Sequence, residues 1–328
     1  MRAVFYTTQG EAAQVLQYGH LDTPLPGVGE VRVRLRCSGV NPSDTKSRRG
    51  GPNRPMAAST VIPHSDGAGD IDAVGEGVET ARIGERVWVW NAQWQRAFGT
   101  AAEFVTLPSE QAIVLPTGVG YAEGACLGIP ARTALQAVRL AEIGPGKAIL
   151  IAGGAGAVGN YAVQMAKARG ATVLTTVSSA EKAKHAIAAG ADYVLNYRDE
   201  DVAARVQTLT GGVDAVVEMD LAANANLYPG ILKPHARVAI YGTSALESVL
   251  PTFALMRNSV QLRMVWVYEL NDEDSRNIFA DLEALLRAGS LRHNVAQRLP
   301  LSEAARAHEL VEQGAVIGNV VLDIAEFS

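Results

Sequence analysis

The sequence predicts an α/β protein of two domains, a β-rich barrel and a doubly wound parallel sheet, and three observations carry that prediction. Up to about residue 120, short runs alternate apolar with polar residues and are punctuated by glycine. From about residue 147, short apolar strands alternate with amphipathic helices. Where the texture changes, A-I-L-I-A-G-G-A-G-A-V-G-N-Y-A-V-Q sets a glycine turn between one such strand and one such helix. A chain of 328 residues exceeds one ordinary core, which favours two domains.

In the first region, E-V-R-V-R-L-R has the period of two of a half-buried strand. Val31, Val33 and Leu35 are expected to face a core, with Arg32, Arg34 and Arg36 on a solvated face. G-A-G-D-I-D-A-V-G-E-G-V-E-T and G-E-R-V-W-V-W then read as short strands joined by tight turns, which suits a small, partly open barrel. In the second region, strands are expected at 148–151, 172–176, 193–196, 214–218 and 237–241. Helices fall between them at 157–169, at 180–189, from about 201 and after 218, with Gly170 at a helix C-terminus. Strands separated in this way by helices form a parallel sheet with crossovers. Two further helices (272–288 and 301–313) and a last strand (319–323) are expected to return to the first domain, making it discontinuous.

Composition narrows the function classes. Hydrophobic residues at 48% and charged residues at 19% describe a globular chain. A net charge of −5 leaves no electrostatic footprint for nucleic acid. Cys37 and Cys126 supply neither a disulfide framework nor a cysteine-built metal site, which fits a reducing cytoplasm. The start M-R-A-V-F-Y-T-T-Q-G lacks the apolar core of a signal peptide, and the apolar run 148–159 is too short and glycine-rich to span a bilayer.

The glycine turn carries the chemistry. Gly153 permits a sharp exit from the strand, Gly156 lets backbone approach a pyrophosphate, and Gly159 lets the helix pack close to the sheet. The free N–H groups and positive end of the helix dipole then hold the anion, so the motif points to a nicotinamide dinucleotide. NAD sites place an acidic residue about 20 positions on, at the ribose 2′-hydroxyl. Here that stretch reads T-T-V-S-S-A-E-K, and Ser178, Ser179 and Lys182 suit a 2′-phosphate instead, which favours NADPH over NADH.

Six segments together resemble one family: R-C-S-G-V-N-P-S-D (36–44), D-G-A-G-D-I-D-A-V-G (66–75), L-G-I-P-A-R-T-A-L (127–135), the glycine turn, N-Y-R-D-E-D (196–201) and G-T-S (242–244). In this order they are similar to the zinc-free quinone oxidoreductases, the zeta-crystallin-like branch of the medium-chain dehydrogenase/reductase superfamily. The resemblance implies a chaperonin-10-like β-barrel catalytic domain over 1–122 and 269–328, and a six-stranded Rossmann NADP-binding domain over 123–268. It places Asn41 and Thr133 near the nicotinamide and its ribose, and Ala155, Gly156, Ala157 and Val158 at the pyrophosphate. Ser178, Lys182 and Tyr197 fall at the adenosine phosphate end. Asn226, Tyr241, Gly242, Thr243, Ser244, Val265 and Trp266 border the cofactor and pocket. Homo-oligomers, dimers or tetramers, are also implied.

Zinc separates this branch from its relatives. Asn41 stands where zinc alcohol dehydrogenases carry a cysteine and Ser65 where they carry a histidine, leaving Asp66 as the acidic position. His64 is one residue out of register and reads as a loop or pocket residue; Cys126 is not at the third ligand position. A zinc site needs about three converging protein ligands, so the protein is read as metal-free. Reduction of a quinone, or alternatively of an α,β-unsaturated carbonyl, then suits the site better than oxidation of an unactivated alcohol; a non-catalytic, crystallin-like NADPH binder is the remaining alternative. Where the family commonly carries a tyrosine acid, this chain has Lys46. Lys46, Tyr268 or water is the candidate donor to the substrate oxygen, and Lys46 equally reads as a solvated member of K-S-R-R. Trp88 and Trp90 read as core, leaving Trp94 as a wall of the pocket.

Overall fold

The computed structural model describes residues 1–324. The chain forms two compact units, one of residues 1–130 and 286–328 and one of residues 131–285.

The first unit is built on a seven-stranded sheet. Its path runs Val295–Pro300, Asn319–Asp323, Glu30–Val40, Asp66–Val74, Arg86–Val89 and Ala112–Val114, and Phe104–Pro108 also pairs with Glu30–Val40. The final strand pairs antiparallel with the long strand Glu30–Val40, so the tail does return to this sheet. Val31, Val33 and Leu35 enter the core as the alternation predicts. Of their arginine neighbours, Arg34 and Arg36 are exposed as expected and Arg32 is only partly so. Arg32 grips Asp72 across the strands through Nε (2.9 Å) and Nη2 (3.1 Å), and Arg36 pairs with Asp70 at 2.9 Å. Arg32 and Arg34 also cover the Phe104 ring.

The second unit is a six-stranded parallel sheet in the order Tyr193–Asn196, Thr172–Val177, Ala148–Ile151, Val213–Glu218, Leu232–Ile240, Gln261–Met264. Each half winds outward from the centre, so the order reverses between Ala148–Ile151 and Val213–Glu218, the switch point at which doubly wound sheets bind ligands. Ala148–Ile151 is buried on both faces, which explains its unbroken apolar run. The helix expected after residue 218 is instead three short pieces, Leu221–Asn224, Ala225–Leu227 and Tyr228–Ile231. Strands Gln261–Met264 and Val295–Pro300 had no signal in the pattern, because neither alternates clearly.

The unit boundary falls after residue 285, whereas the expected one lay after 268. Packing of helix Asp272–Arg287 explains the difference. Arg139 of helix Arg132–Leu140 donates to Asp281 at 2.8 Å, and the Arg132 guanidinium lies over the Phe279 ring. No described helix is long and apolar enough to cross a membrane.

Candidate active site

The glycine turn folds as its residue types require, with one reassignment. Gly153 has φ of +70°, a backbone region that penalises a side chain, and its N–H donates to Thr176 Oγ1 at 3.1 Å. Gly156 is the exposed N-cap of helix Ala157–Ala168, and a Cβ there would sit 3.3 Å from the Gly153 carbonyl oxygen. A Cβ on Gly159 would collide with that same oxygen, so Gly159 lets the helix close on the turn itself. Contact with the neighbouring strand belongs to Gly154, where a Cβ would collide with Thr175 Oγ1. Ala155 is buried, while Gly156, Ala157 and Val158 line the open start of the helix. The bare backbone of that arrangement fits a pyrophosphate.

Beyond strand Thr172–Val177 the structure brings together Ser178 and Lys182, two of the residues expected at the phosphate end. Lys182 Nζ donates to Ser178 Oγ at 3.2 Å, while the Ser179 hydroxyl caps helix Ala180–Ala188 by accepting from Lys182 N–H at 3.3 Å. Tyr197 N–H donates to Val177 O at 3.1 Å, and Tyr197 is half-exposed. A hydroxyl and an ammonium sharing one half-buried corner suit a phosphate monoester.

At the carboxyl end of Val213–Glu218 lies an organising group that sequence reasoning missed. The buried Glu218 carboxylate accepts from Asp220 N–H (2.7 Å), Asn224 Nδ2 (2.8 Å) and Tyr228 OH (3.0 Å). Burial and the nearby Glu218 push the Tyr228 and Tyr241 phenols above the usual tyrosine range. Asn226, the expected contact residue, is exposed on Ala225–Leu227; Asn224 is the asparagine tied to Glu218. Asp220 in turn accepts from both N–H and Oγ of Ser244 at 2.9 Å, which fixes segment 241–244 with Gly242 close to Met219 O. Val265 is buried, and Trp266 is half-exposed with its ring 5.2 Å from Tyr268. Thr133 is buried in helix Arg132–Leu140.

In the first unit, Asn41 caps helix Pro42–Arg49 between two buried aspartates. Its N–H donates to Asp44 Oδ2 at 2.8 Å, and its Nδ2 donates to Asp66 Oδ2 at 2.9 Å; Asp66 Oδ2 also accepts Ile129 N–H at 2.8 Å. Burial, then the nearby Asp66, push the Asp44 carboxyl well above the usual carboxylate range. Lys46 is exposed on that helix, as its solvated alternative has it; two residues on, Arg48 is fully buried, so K-S-R-R is not a solvated run throughout. Trp88 is core, but Trp90, one residue beyond strand Arg86–Val89, is only half-buried, as is Trp94.

His64 is a loop residue, as expected, but its setting is one that the sequence did not show. It is wholly buried at φ +80°, its Nδ1 2.8 Å from Ser38 Oγ and its Nε2 2.9 Å from His308 Nε2. Thr100 donates its hydroxyl proton to Asp66 O, so Ser38 donates to Thr100 and accepts from His64 Nδ1–H. His64 Nε2 then accepts from His308 Nε2–H, and both rings are neutral. Burial pushes His64 down to about 3 and His308 well below the usual histidine range.

Zinc does not fit these residues. Asn41 and Ser65 offer no thiolate or imidazole, and Asp66 is engaged with Asn41 and Ile129. His64 is committed to Ser38 and His308, and Cys126 Sγ lies 3.3 Å from Ala122 O. Among the described residues, no group of three or more His, Cys, Asp or Glu side chains converges on a metal position.

Comparisons with known proteins define the class first. Residues 27–117 match the model of the alcohol dehydrogenase GroES-like domain, and residues 157–285 that of the zinc-binding dehydrogenase. The chain is 30% identical to a quinone oxidoreductase of Sus scrofa over 91% of its length and 90% of that protein. It is 31% identical to a quinone oxidoreductase of Pseudomonas aeruginosa, covering 94% of this chain and 95% of that protein. A mycobacterial structure complexed with NADPH superposes with a TM-score of 0.88 at 31% identity, covering 99% of this chain and all of that one (100%). An Escherichia coli quinone oxidoreductase complexed with NADPH gives 0.86 at 27%, with coverage of 99% and 100%. The chain belongs to the quinone oxidoreductase family of the medium-chain dehydrogenase/reductase superfamily.

Proposed function

We propose that this chain is an NADPH-dependent, zinc-independent reductase that transfers hydride to quinones or related conjugated carbonyl compounds, and that it works as a homo-oligomer in the cytoplasm. The observation that carries this is the pairing of Lys182 Nζ with Ser178 Oγ where an NAD enzyme would place a carboxylate. The Asn41–Asp66 hydrogen bond, made at positions where a zinc enzyme would place ligands, supports zinc independence. The quinone oxidoreductase relatives and the two NADPH-bound structures support the same reading.

The first unit is then the catalytic domain and the second the NADP-binding domain. Bound NADPH supplies the hydride. Ala155, Gly156, Ala157 and Val158 hold its pyrophosphate, and Ser178, Lys182 and Tyr197 its 2′-phosphate end. Thr133 and Asn41 orient the nicotinamide half, bordered by Asn226, Tyr241, Gly242, Thr243, Ser244, Val265 and Trp266. Without a Lewis acid, an alkoxide formed from an unactivated alcohol lacks stabilisation, whereas a conjugated acceptor spreads the incoming charge onto its own oxygen. Lys46 and Tyr268 are the candidate donors to that oxygen, with water as the alternative, and Trp94 is assigned to the substrate pocket. Edge strand Gln261–Met264, with exposed Met264, Met256 and Phe253, supports self-association. Two free, buried cysteines support a reducing compartment.

A steady-state panel of matched quinones and enones with NADPH and with NADH tests this. The expected result is quinone-dependent oxidation of NADPH that strong chelators leave intact. Thermal stabilisation by NADPH with no turnover of any quinone or enone would overturn it in favour of a dinucleotide-binding protein without catalysis.

A further inference from the structure

Met219 stands at the switch point, immediately past the end of strand Val213–Glu218, which pairs directly with the strand leading into the glycine turn. Its position is strongly determined. Glu218 holds Asp220 N–H on one side, and Tyr241 N–H donates to Glu218 O at 3.0 Å. The Met219 carbonyl packs so closely on Gly242 that a Cβ there would collide with it. On the other side, the Met219 sulfur occupies the space that a Cβ on Gly153 would need. The thioether therefore lies against the phosphate turn while remaining 46% exposed.

Resting on the NADPH reading above, we propose that Met219 is a cofactor-contacting residue and an oxidation site, whose conversion to the sulfoxide by hydrogen peroxide weakens NADPH binding. In that step the sulfur lone pair attacks one peroxide oxygen, and an S–O bond forms as the O–O bond breaks. Sulfur gives up two electrons; the second oxygen, after proton transfer, leaves as water. An apolar, adaptable thioether becomes a polar sulfoxide. Its oxygen carries negative charge beside the turn that must admit an anionic pyrophosphate. The oxidant has a source in the proposed reaction, because hydroquinones autoxidise in air to give hydrogen peroxide.

Other sulfurs are distinguishable. Met165 is buried, and Met1 and Met56 pack against core clusters. Cys37 and Cys126 are buried, and burial holds both thiols protonated, Cys37 up to about 12. Met256 and Met264 are exposed but belong to helix Thr252–Arg257 and strand Gln261–Met264.

The test uses the full chain carrying Met256→Leu and Met264→Leu, with and without Met219→Leu. Each protein is treated with hydrogen peroxide and compared with its own untreated sample. Mass mapping gives sulfoxide occupancy at residue 219, and NADPH fluorescence gives affinity. Oxidation of the Met219 protein is expected to weaken binding about tenfold (~1.4 kcal/mol), in step with occupancy and reversed by methionine sulfoxide reductases. The Met219→Leu protein keeps its own affinity. Complete sulfoxide formation at Met219 with unchanged affinity, or equal losses in both proteins, would overturn the proposal. Failure of the untreated protein to bind NADPH at all would overturn the cofactor reading together with it.

Discussion

On the proposed reading, Lys182 and Ser178 set which dinucleotide is preferred. A charged hydrogen bond of this kind contributes about 1.5–3 kcal/mol, so Lys182→Ala should weaken NADPH binding by roughly ten- to a hundredfold while NADH affinity stays nearly constant. Titration of both cofactors checks this, and equal losses would remove Lys182 from the phosphate site. The turn makes an equally local prediction. Gly159→Ala drives a Cβ into the Gly153 carbonyl oxygen, so it should abolish the NADPH-induced rise in Tm; a retained shift would show that the turn tolerates displacement. Both residues were legible in the sequence, because a glycine's freedom and a lysine's charge are properties of the residue itself. Gly154 was not assigned its role, since its constraint is Thr175 on the neighbouring strand.

Among elements, helix Pro42–Arg49 and helix Ala304–Glu312 are joined by a pair with no local signature. The buried Arg48 donates to Glu312 Oε1 at 2.6 Å, and Arg49 lies 3.3 Å from the same oxygen. Glu312→Ala leaves the Arg48 charge buried without that carboxylate and should cost about 3 kcal/mol, read as a lowered denaturant midpoint. The imidazole pair His64–His308 joins the same helix to the barrel core. Both imidazoles are held below the unfolded value of about 6.5, so at lower pH the unfolded chain binds more protons. Their contribution is therefore fully present above about pH 6.5 and is lost as pH falls toward the His64 value of about 3. Each histidine adds a slope of at most ~1.4 kcal/mol per pH unit. Denaturation between pH 7 and about pH 4.5 should show this fall, and a flat profile would mean that the pair takes up protons as readily in the folded protein as in the unfolded chain. The free Nδ1 of His308, which has no hydrogen-bond partner among the described residues, marks where an incoming proton would first go.

For the whole molecule, self-association through the edge strand predicts a particle mass above that of one chain by light scattering. Val249→Glu with Phe253→Glu, both at exposed positions, should reduce that mass by placing charge on the apolar surface. A monomeric wild type would end the oligomer proposal.

What the sequence determined by itself was everything that repeats or constrains locally. The alternation of Val31, Val33 and Leu35 built a strand, the βα series built the parallel sheet, and Gly153 and Gly156 built the turn. Tertiary structure alone decided the pairings between distant residues. His64 meets a partner 244 positions away and Arg48 one 264 away. Asn41 binds Asp66, and Met219 settles on Gly153. Periodicity and backbone preference act over a few residues, whereas a buried polar group takes whichever partner the folded core brings to it.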